Sequence, residues 1–258
     1  MGGRAKASAG VGRGALILAA VAFSGTAAAA DWASDADYRK CIEAVRGDPK
    51  EGHRFAVAWR ANGAGAAGDH CLALAMVGLG YYQEAAQRLE DLAARLGNGD
   101  AALAAGLHGE AAQAWSLAAK PERARLAQSA ALKLRPDDVE LLIDRSIAEV
   151  ALGAFWEAVD DLSRAIDLAP KRPDVLTLRA SAYRRLETLD LAEDDIARAL
   201  ALEPGNLDAL LERGIVRRIK GDAAGARRDW LAVVRAGGDS PAADAARVQL
   251  QQLDLNAK

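Results

Sequence analysis

Pro136, Pro170 and Pro204 stand 34 residues apart, and much of the chain around them keeps the same interval. Self-similarity at a period of this size marks a stacked-repeat architecture, and it restricts the fold more than any other feature of the sequence. Ala124, Ala158, Ala192 and Ala226 hold the period, as do Ala131, Ala165 and Ala199, with Val233 closing that row. Small residues recur at Ala112, Ser146, Ala180 and Gly214, and large apolar ones at Leu162, Ile196 and Trp230. Gly153 and Gly221 share one position of the repeat, with Glu187 between them. Each period contains two stretches with apolar residues at three- and four-residue steps, such as Leu142 and Val150, then Val159, Leu162 and Ile166, which predicts two amphipathic helices. A small residue on the first helix and an alanine on the second let the two axes approach closely. Glycine releases the chain between them, and proline, with no N–H to donate, stops the second. One such hairpin cannot bury its apolar face alone, so copies must stack. The composition agrees: 51% of residues are hydrophobic but only 5% aromatic, as suits closely packed helices.

The stretches Leu142 to Pro170, Leu176 to Pro204 and Leu210 to Gly238 are in register, with a weaker copy from about Ala105 to Pro136. In period and pattern they resemble the tetratricopeptide repeat. An offset copy is visible from Leu72 to Ala85; Ala85 lies 39 residues ahead of Ala124, and the loop Gly97-Asn98-Gly99-Asp100 accommodates the excess. The resemblance implies an all-α fold, a right-handed α-solenoid of stacked antiparallel helix pairs. The predicted division is a leader over 1–30, a helical hairpin cap over 31–65, a divergent repeat and loop over 66–104, repeats over 105–138, 139–172, 173–206 and 207–238, and a capping helix over 239–258. Within the caps, Asp37 to Val45 and Glu51 to Arg60 read as helices, and Pro241 to Leu255 as another with Val248, Leu250 and Leu253 on its apolar side.

The leader is read from three parts. Arg4, Lys6 and Arg13 are basic with no acid nearby, Ala15 to Phe23 is a short apolar core, and Ala27 to Ala30 form a small-residue run ahead of Asp31. This is the pattern of a secretory signal, with cleavage expected between Ala30 and Asp31 and a periplasmic or secreted product. The apolar core falls short of the ~20 residues a spanning helix needs, so no stable membrane insertion is expected after cleavage. Cleavage removes three of 33 basic residues and none of 36 acidic ones, leaving a net charge of −6, which disfavours nucleic acid as a partner. In an oxidising compartment the lone pair Cys41 and Cys71 is expected to form a disulfide; the other reading is two buried thiols.

Other motifs carry less. Gly63-Ala64-Gly65-Ala66-Ala67-Gly68 matches G-x-G-x-x-G, but the following segments read as helices and no second strand completes a dinucleotide fold, so it is read as a link. His53, His70 and His108 lack metal-ligand spacing and are expected on the surface or in loops. No cofactor, metal or catalytic residue is predicted. Trp230 is expected in the core, Trp156 beside a turn and partly exposed, and Trp32, just after the expected cleavage point, surface-exposed or disordered.

Two charged rows share the period: Arg145, Arg179 and Arg213, and Asp161, Asp195 and Asp229, sixteen residues later in each repeat. Both are absent together from the weak copy, where Ala111 and Ala127 stand. Joint presence and absence predict structural ion pairs, either within a repeat or from each aspartate to the next repeat's arginine. The family resemblance implies a concave face lined by the first helices, with Glu140, Ile143, Asp144 and Ile147, then Asp174, Thr177, Ser181, Arg184 and Arg185, then Asp208, Leu211, Ile215, Arg218 and Ile219. Relatives that clamp a terminal carboxylate use lysines and asparagines there; Glu140, Asp174 and Asp208 stand where a base would be wanted. The function expected is therefore a non-enzymatic periplasmic adaptor holding a protein or peptide in its groove. The rivals are an accessory subunit of a cell-envelope enzyme or of peptidoglycan or polysaccharide machinery, and an enzyme with an unrecognised site.

Overall fold

The computed structural model describes residue 32, residues 34–97 and residues 99–255. The expected leader and its cleavage point between Ala30 and Asp31 lie outside the described residues, as do Asn98 and the last three residues. Among the described residues there are thirteen helices and no strand. They are α1 (Ala36–Gly47), α2 (Pro49–Ala61), α3 (Gly65–Gly78), α4 (Tyr82–Leu96), α5 (Ala101–Leu117), α6 (Pro121–Leu134), α7 (Val139–Leu152), α8 (Phe155–Leu168), α9 (Pro173–Arg185), α10 (Leu189–Leu202), α11 (Leu207–Ile219), α12 (Ala223–Gly237) and α13 (Pro241–Leu255). None of them is long and apolar enough to cross a membrane.

Local chemistry sets the ends. Asp138 accepts from the N–H groups of Glu140 and Leu141 at the start of α7, and Asn206 from Ala209 at the start of α11, satisfying donors a helix leaves orphaned. Proline occupies the first turn of α2, α6 and α9, where its missing N–H costs nothing. The turn from first to second helix needs a left-handed residue. Gly153 and Gly221 take φ 78° and 90° there, while Ala119 and Glu187 at the equivalent positions take 55° and 59°. Each of these two non-glycine residues costs roughly 1 kcal/mol of backbone strain.

Successive helices pack on one another from α1 to α13, making an all-α solenoid. The first helices of neighbouring repeats also touch, α9 with α11 and α11 with α13, whereas the second helices do not pack on each other to a similar extent. The first helices therefore form the inner layer. The alanine rows lie between the layers: Ala124, Ala158, Ala192 and Ala226 have no exposed surface, nor do Ala131, Ala165, Ala199 and Val233.

The small row and the large row exchange volume. Ser146 goes with Leu162, Ala180 with Ile196, and Gly214 with Trp230, all buried. A Cβ built on Gly214 would overlap the Trp230 indole, whose Nε1–H donates to the Leu211 carbonyl at 3.1 Å. Trp230 is thus core, and Trp156 at the start of α8 is exposed. Gly214→Ala is expected to destabilise the protein by about 2 kcal/mol through overpacking. Adding Trp230→Ile recreates the Ala–Ile pair of the preceding repeat, so the double variant should lose clearly less than the two single losses added. Denaturant titration of the three variants checks this; simple additivity would mean the two sites pack independently.

Candidate protein-binding face and the ion pairs behind it

Each periodic arginine leaves a first helix and grips the aspartate of its own repeat with two parallel bonds. Arg145 donates from Nε and Nη2 to Asp161 at 2.6 Å each, Arg179 to Asp195 at 2.7 and 2.8 Å, and Arg213 to Asp229 at 3.0 and 2.8 Å. The other register, from an aspartate to the next repeat's arginine, is not the one adopted. A third donor does reach backwards, to a serine: Arg145 Nη1 to Ser129 at 3.4 Å and Arg179 Nη1 to Ser163 at 2.9 Å. One guanidinium therefore ties three helices, its own, the following one and the preceding one. The serines sit sixteen residues before each arginine, a regularity that reading for charge overlooked. At the equivalent position before Arg213 stands Ala197, and Arg217 supplies a second cation instead, donating to Asp229 at 2.7 Å.

The residue four places after each arginine answers it differently. Tyr183 puts its ring against the Arg179 guanidinium, 5.6 Å from centroid to Cζ. Arg217 joins the pair as described. Glu149 is a competitor: it is 6% exposed, its Oε1 lies 3.8 Å from Arg145 Nε, and its Oε2 is buried without a hydrogen bond among the described residues. Burial, and then the charge of Asp161, push its carboxyl up to about 7.

The inner face presents a shorter set of side chains than the sequence suggested. Ile147 is 51% exposed and Ile219 49%, with Ser181, Leu211, Ile215 and Arg218 half-buried beside them. Asp144 is half-buried as well; burial raises its carboxyl above the usual range, and a hydrogen bond with Gln113 opposes that rise. Asp208 is exposed. Glu140 and Asp174 are exposed at the rim, joined by Arg172, which donates to both at 2.6 to 2.9 Å.

Four expected groove residues are turned to other work. Ile143 and Thr177 are buried, and the Thr177 hydroxyl donates back to the Pro173 carbonyl at 2.8 Å. Arg184 is bonded to the buried Glu212 of the next first helix, so it closes the inner layer instead of lining its free surface. Arg185 lies over the Phe155 ring of α8, 4.8 Å from its centroid, and so leans towards the preceding second helix.

A family model described as tetratricopeptide repeat matches residues 116–182, from the end of α5 through most of α9. The chain carries tetratricopeptide repeats, and the helix pairs on either side of them continue the same stack. MamA from Desulfovibrio magneticus RS-1, solved from residue 41 to its end, superimposes with a TM-score of 0.59 at 19% identity, over 68% of this chain and 97% of that one. YrrB, whose structure is described as a tetratricopeptide-repeat protein with an unusual peptide-binding site, gives 0.54 at 18% identity over 74% and 95%. Another MamA crystal structure gives 0.55 at 16% over 64% and 93%. Such identities speak for the fold alone. Among curated proteins none matches.

Ahead of the matched repeats a polar cluster departs from expectation. His70 is not a surface or loop histidine; it is 2% exposed, on α3. Its Nε2 meets Glu110 of α5 at 2.6 Å and its Nδ1 meets the Tyr38 hydroxyl of α1 at 2.8 Å. With Nε2–H given to the carboxylate, Nδ1 is left to accept from the tyrosine. Burial pushes the Tyr38 hydroxyl well above its ordinary value. Trp32 is half-buried rather than exposed or disordered: its ring lies 5.5 Å from that of His70. Next to these residues Cys41 of α1 and Cys71 of α3 are joined by a disulfide, their Cα atoms 6.3 Å apart, within a core that includes Val45, Ala56, Leu72 and Met76. His53 and His108 are only partly buried. Gly63 to Gly68 run through the turn from α2 into α3, with Gly63 and Gly65 at positive φ, and no strand adjoins them.

Proposed function

We propose that the protein is an exported scaffold that holds a protein or peptide segment along its inner face. The observation that carries this is a division of labour between the two sides of the first helices. Towards the second helices, their charges are paired and buried, as in Arg145–Asp161 and Arg179–Asp195. On the free side Ile147 and Ile219 stay about half exposed, with Asp144, Ser181 and Ile215 half-buried beside them, an apolar strip with polar members. Such a mixture suits an extended segment or a partner helix. The peptide-binding site named in the description of YrrB is in keeping with this. Export rests on the basic, apolar and small-residue series of the first thirty residues.

A photo-crosslinking residue placed at Ile147, and separately at the exposed Asp194 on α10, tests the reading in intact cells. Adducts are expected from position 147 and not from 194. Several substoichiometric adducts mark an adaptor, and a single one of fixed stoichiometry marks a subunit of a larger assembly. Equal labelling from both positions, or none from 147, would sink the inner-face reading. N-terminal sequencing of the native chain addresses export on its own: a start at Asp31 is expected, and an intact Met1 in a cytosolic fraction would refute it.

A further inference from the structure

A second polar site lies on the outer side of the solenoid, where the second helices α2 and α4 flank the first helix α3. Asp69 of α3 anchors it. One of its carboxylate oxygens accepts from Arg60 Nε of α2 at 2.5 Å, and the other from Arg95 Nη2 of α4 at 2.6 Å. The Asp69 side chain is only 17% exposed, whereas those of Arg60 and Arg95 reach solvent. At Arg145 one guanidinium ties three helices; here one carboxylate does so, with the signs reversed. Gly68 makes room for the arrangement, because a Cβ built there would overlap the stem of Arg60. The last glycine of the Gly63 to Gly68 run therefore accommodates an arginine.

Arg60 and Arg95 each give one N–H to Asp69 and keep four. Together with Arg88 and Asp91 of α4 they line an open cleft of about 490 Å³. Arg88 is exposed and has no ion pair among the described residues. It stands two turns before Arg95 on the same face of α4, with Asp91 between them. Three cations thus face two acids, a surplus of one positive charge. A neighbouring cleft shares Arg60 and Asp69 in its wall and adds Val57, Ala61 and Gly65. Val57 is 47% exposed.

Charge and shape select the ligand. A surplus of one is met by a single negative charge. A phosphate monoester brings about two, and Asp91 would repel the excess. A carboxylate brings one and matches the fork of a guanidinium. Beside it, Val57 favours an aliphatic group over the hydroxyls of a sugar acid. An acidic residue next to an aliphatic one in a polypeptide supplies both.

We propose that this outer cleft is a second protein-binding site, which seats the carboxylate of an aspartate or glutamate among Arg60, Arg88 and Arg95 and an aliphatic neighbour against Val57. The site is independent of the inner-face reading, because α2 and α4 belong to the outer layer.

The test follows the Nε–H resonances of Arg60, Arg88 and Arg95 in the isotope-labelled full chain. Two end-blocked hexapeptides in an alanine background are compared, one with Glu-Val at its centre and one with Gln-Val. The first is expected to move all three resonances to saturation, and the second to leave them in place. Arg88→Gln removes a cation that has no ion-pair partner, so it should melt with the wild type and bind the Glu-Val peptide about tenfold more weakly. Asp91→Asn removes the opposing acid and should tighten binding about threefold. Ile147→Asp, on the inner face, should change neither result. Equal responses to the two peptides, or none to either, would overturn the proposal. Inorganic phosphate or an oligogalacturonate that moves the same resonances at a lower concentration would assign the cleft to a bare anion or a sugar acid, and either result overturns it as well. Loss of the response in Ile147→Asp would place the peptide in the inner groove instead and end the proposal. So would an Arg88→Gln protein that melts well below the wild type, since Arg88 would then have a structural role.

Discussion

Arg145→Ala is expected to lower the unfolding free energy by about 3 kcal/mol, more than the same change at Arg179 or Arg213. Truncating one member of a buried pair leaves the other charge without compensation, and the cost is mostly that of the stranded charge. The three sites differ in what remains. Among the described residues Asp161 has no second cation within salt-bridge distance, and Glu149 beside it loses its counter-charge at the same time. Asp195 keeps Arg198, whose Nη1 lies 3.1 Å away. Asp229 keeps Arg217 at 2.7 Å. Losses of roughly 3, 2 and 1 kcal/mol are therefore expected along the chain, the last close to the value of an ordinary surface pair. Chemical denaturation of the three variants gives the order, and equal losses would show that the rows act as solvated stripes.

The pH dependence at the first site has a definite sign. The Glu149 carboxyl sits at about 7 in the fold, above its usual 4.5. A carboxyl raised in the folded state binds its proton more firmly there, so its contribution to stability falls as pH rises from about 4.5 through about 7. Glu149→Gln should match the wild type at pH 5, exceed it at pH 8, and in the Arg145→Ala background recover part of the loss at pH 8 only.

Removing the Cys41–Cys71 bond is the second large perturbation. The bridge spans 30 residues of sequence, and closing a loop of that size is worth about 3 kcal/mol in the chain-entropy view. For a chain of this length that is a fall of roughly 6–12 °C in melting temperature. The loss is expected to concentrate at one end, because α1 touches only α2 and α3 to any extent. Hydrogen exchange should therefore quicken in α1 and α2 in the Cys41→Ser, Cys71→Ser double variant while α9 to α12 stay protected. Identical exchange in the oxidised wild type and the double variant would mean that the Tyr38–His70–Glu110 bonds hold the cap unaided.

The period made the helix pairs readable, and with them the rows that repeat. Gly214 is the last member of the small-residue row and Trp230 the last of the large apolar row. Both the volume exchange and the arginine–aspartate pairs join residues sixteen apart in every copy, so the sequence shows the partners even though it does not say that they touch. What it hid is whatever occurs once. His70 lies outside the regular copies, and its burial depends on Tyr38 and Glu110, far away in sequence and in no row. Arg184 looked like a groove residue because its Glu212 partner lies 28 residues on, an offset that only this ion pair uses among the described residues. Thr177 was misplaced for a further reason. A period shows which residues are equivalent, but the rotation of each helix about its axis is set by packing against its neighbours, and that rotation carries Thr177 inward.

Where the cross-repeat ties lie also bears on how the groove can widen. Arg145 and Arg179 pin their helices to Ser129 and Ser163 of the preceding second helices, on the far side of the solenoid from the groove. A joint pinned at the back opens at the front. The next joint lacks that serine and is pinned at the front, by Arg184 and Glu212. The second joint has a front tie as well, Arg172 with Glu140, but that pair is exposed and worth little, whereas the Arg184–Glu212 pair is largely buried. Bending at the first two joints is therefore expected to spread or narrow the mouth around Asp144 and Ile147 more readily than bending at the third. A guest of uncertain thickness would be accommodated at one end of the groove and gauged at the other, as in a pair of callipers with one fixed jaw.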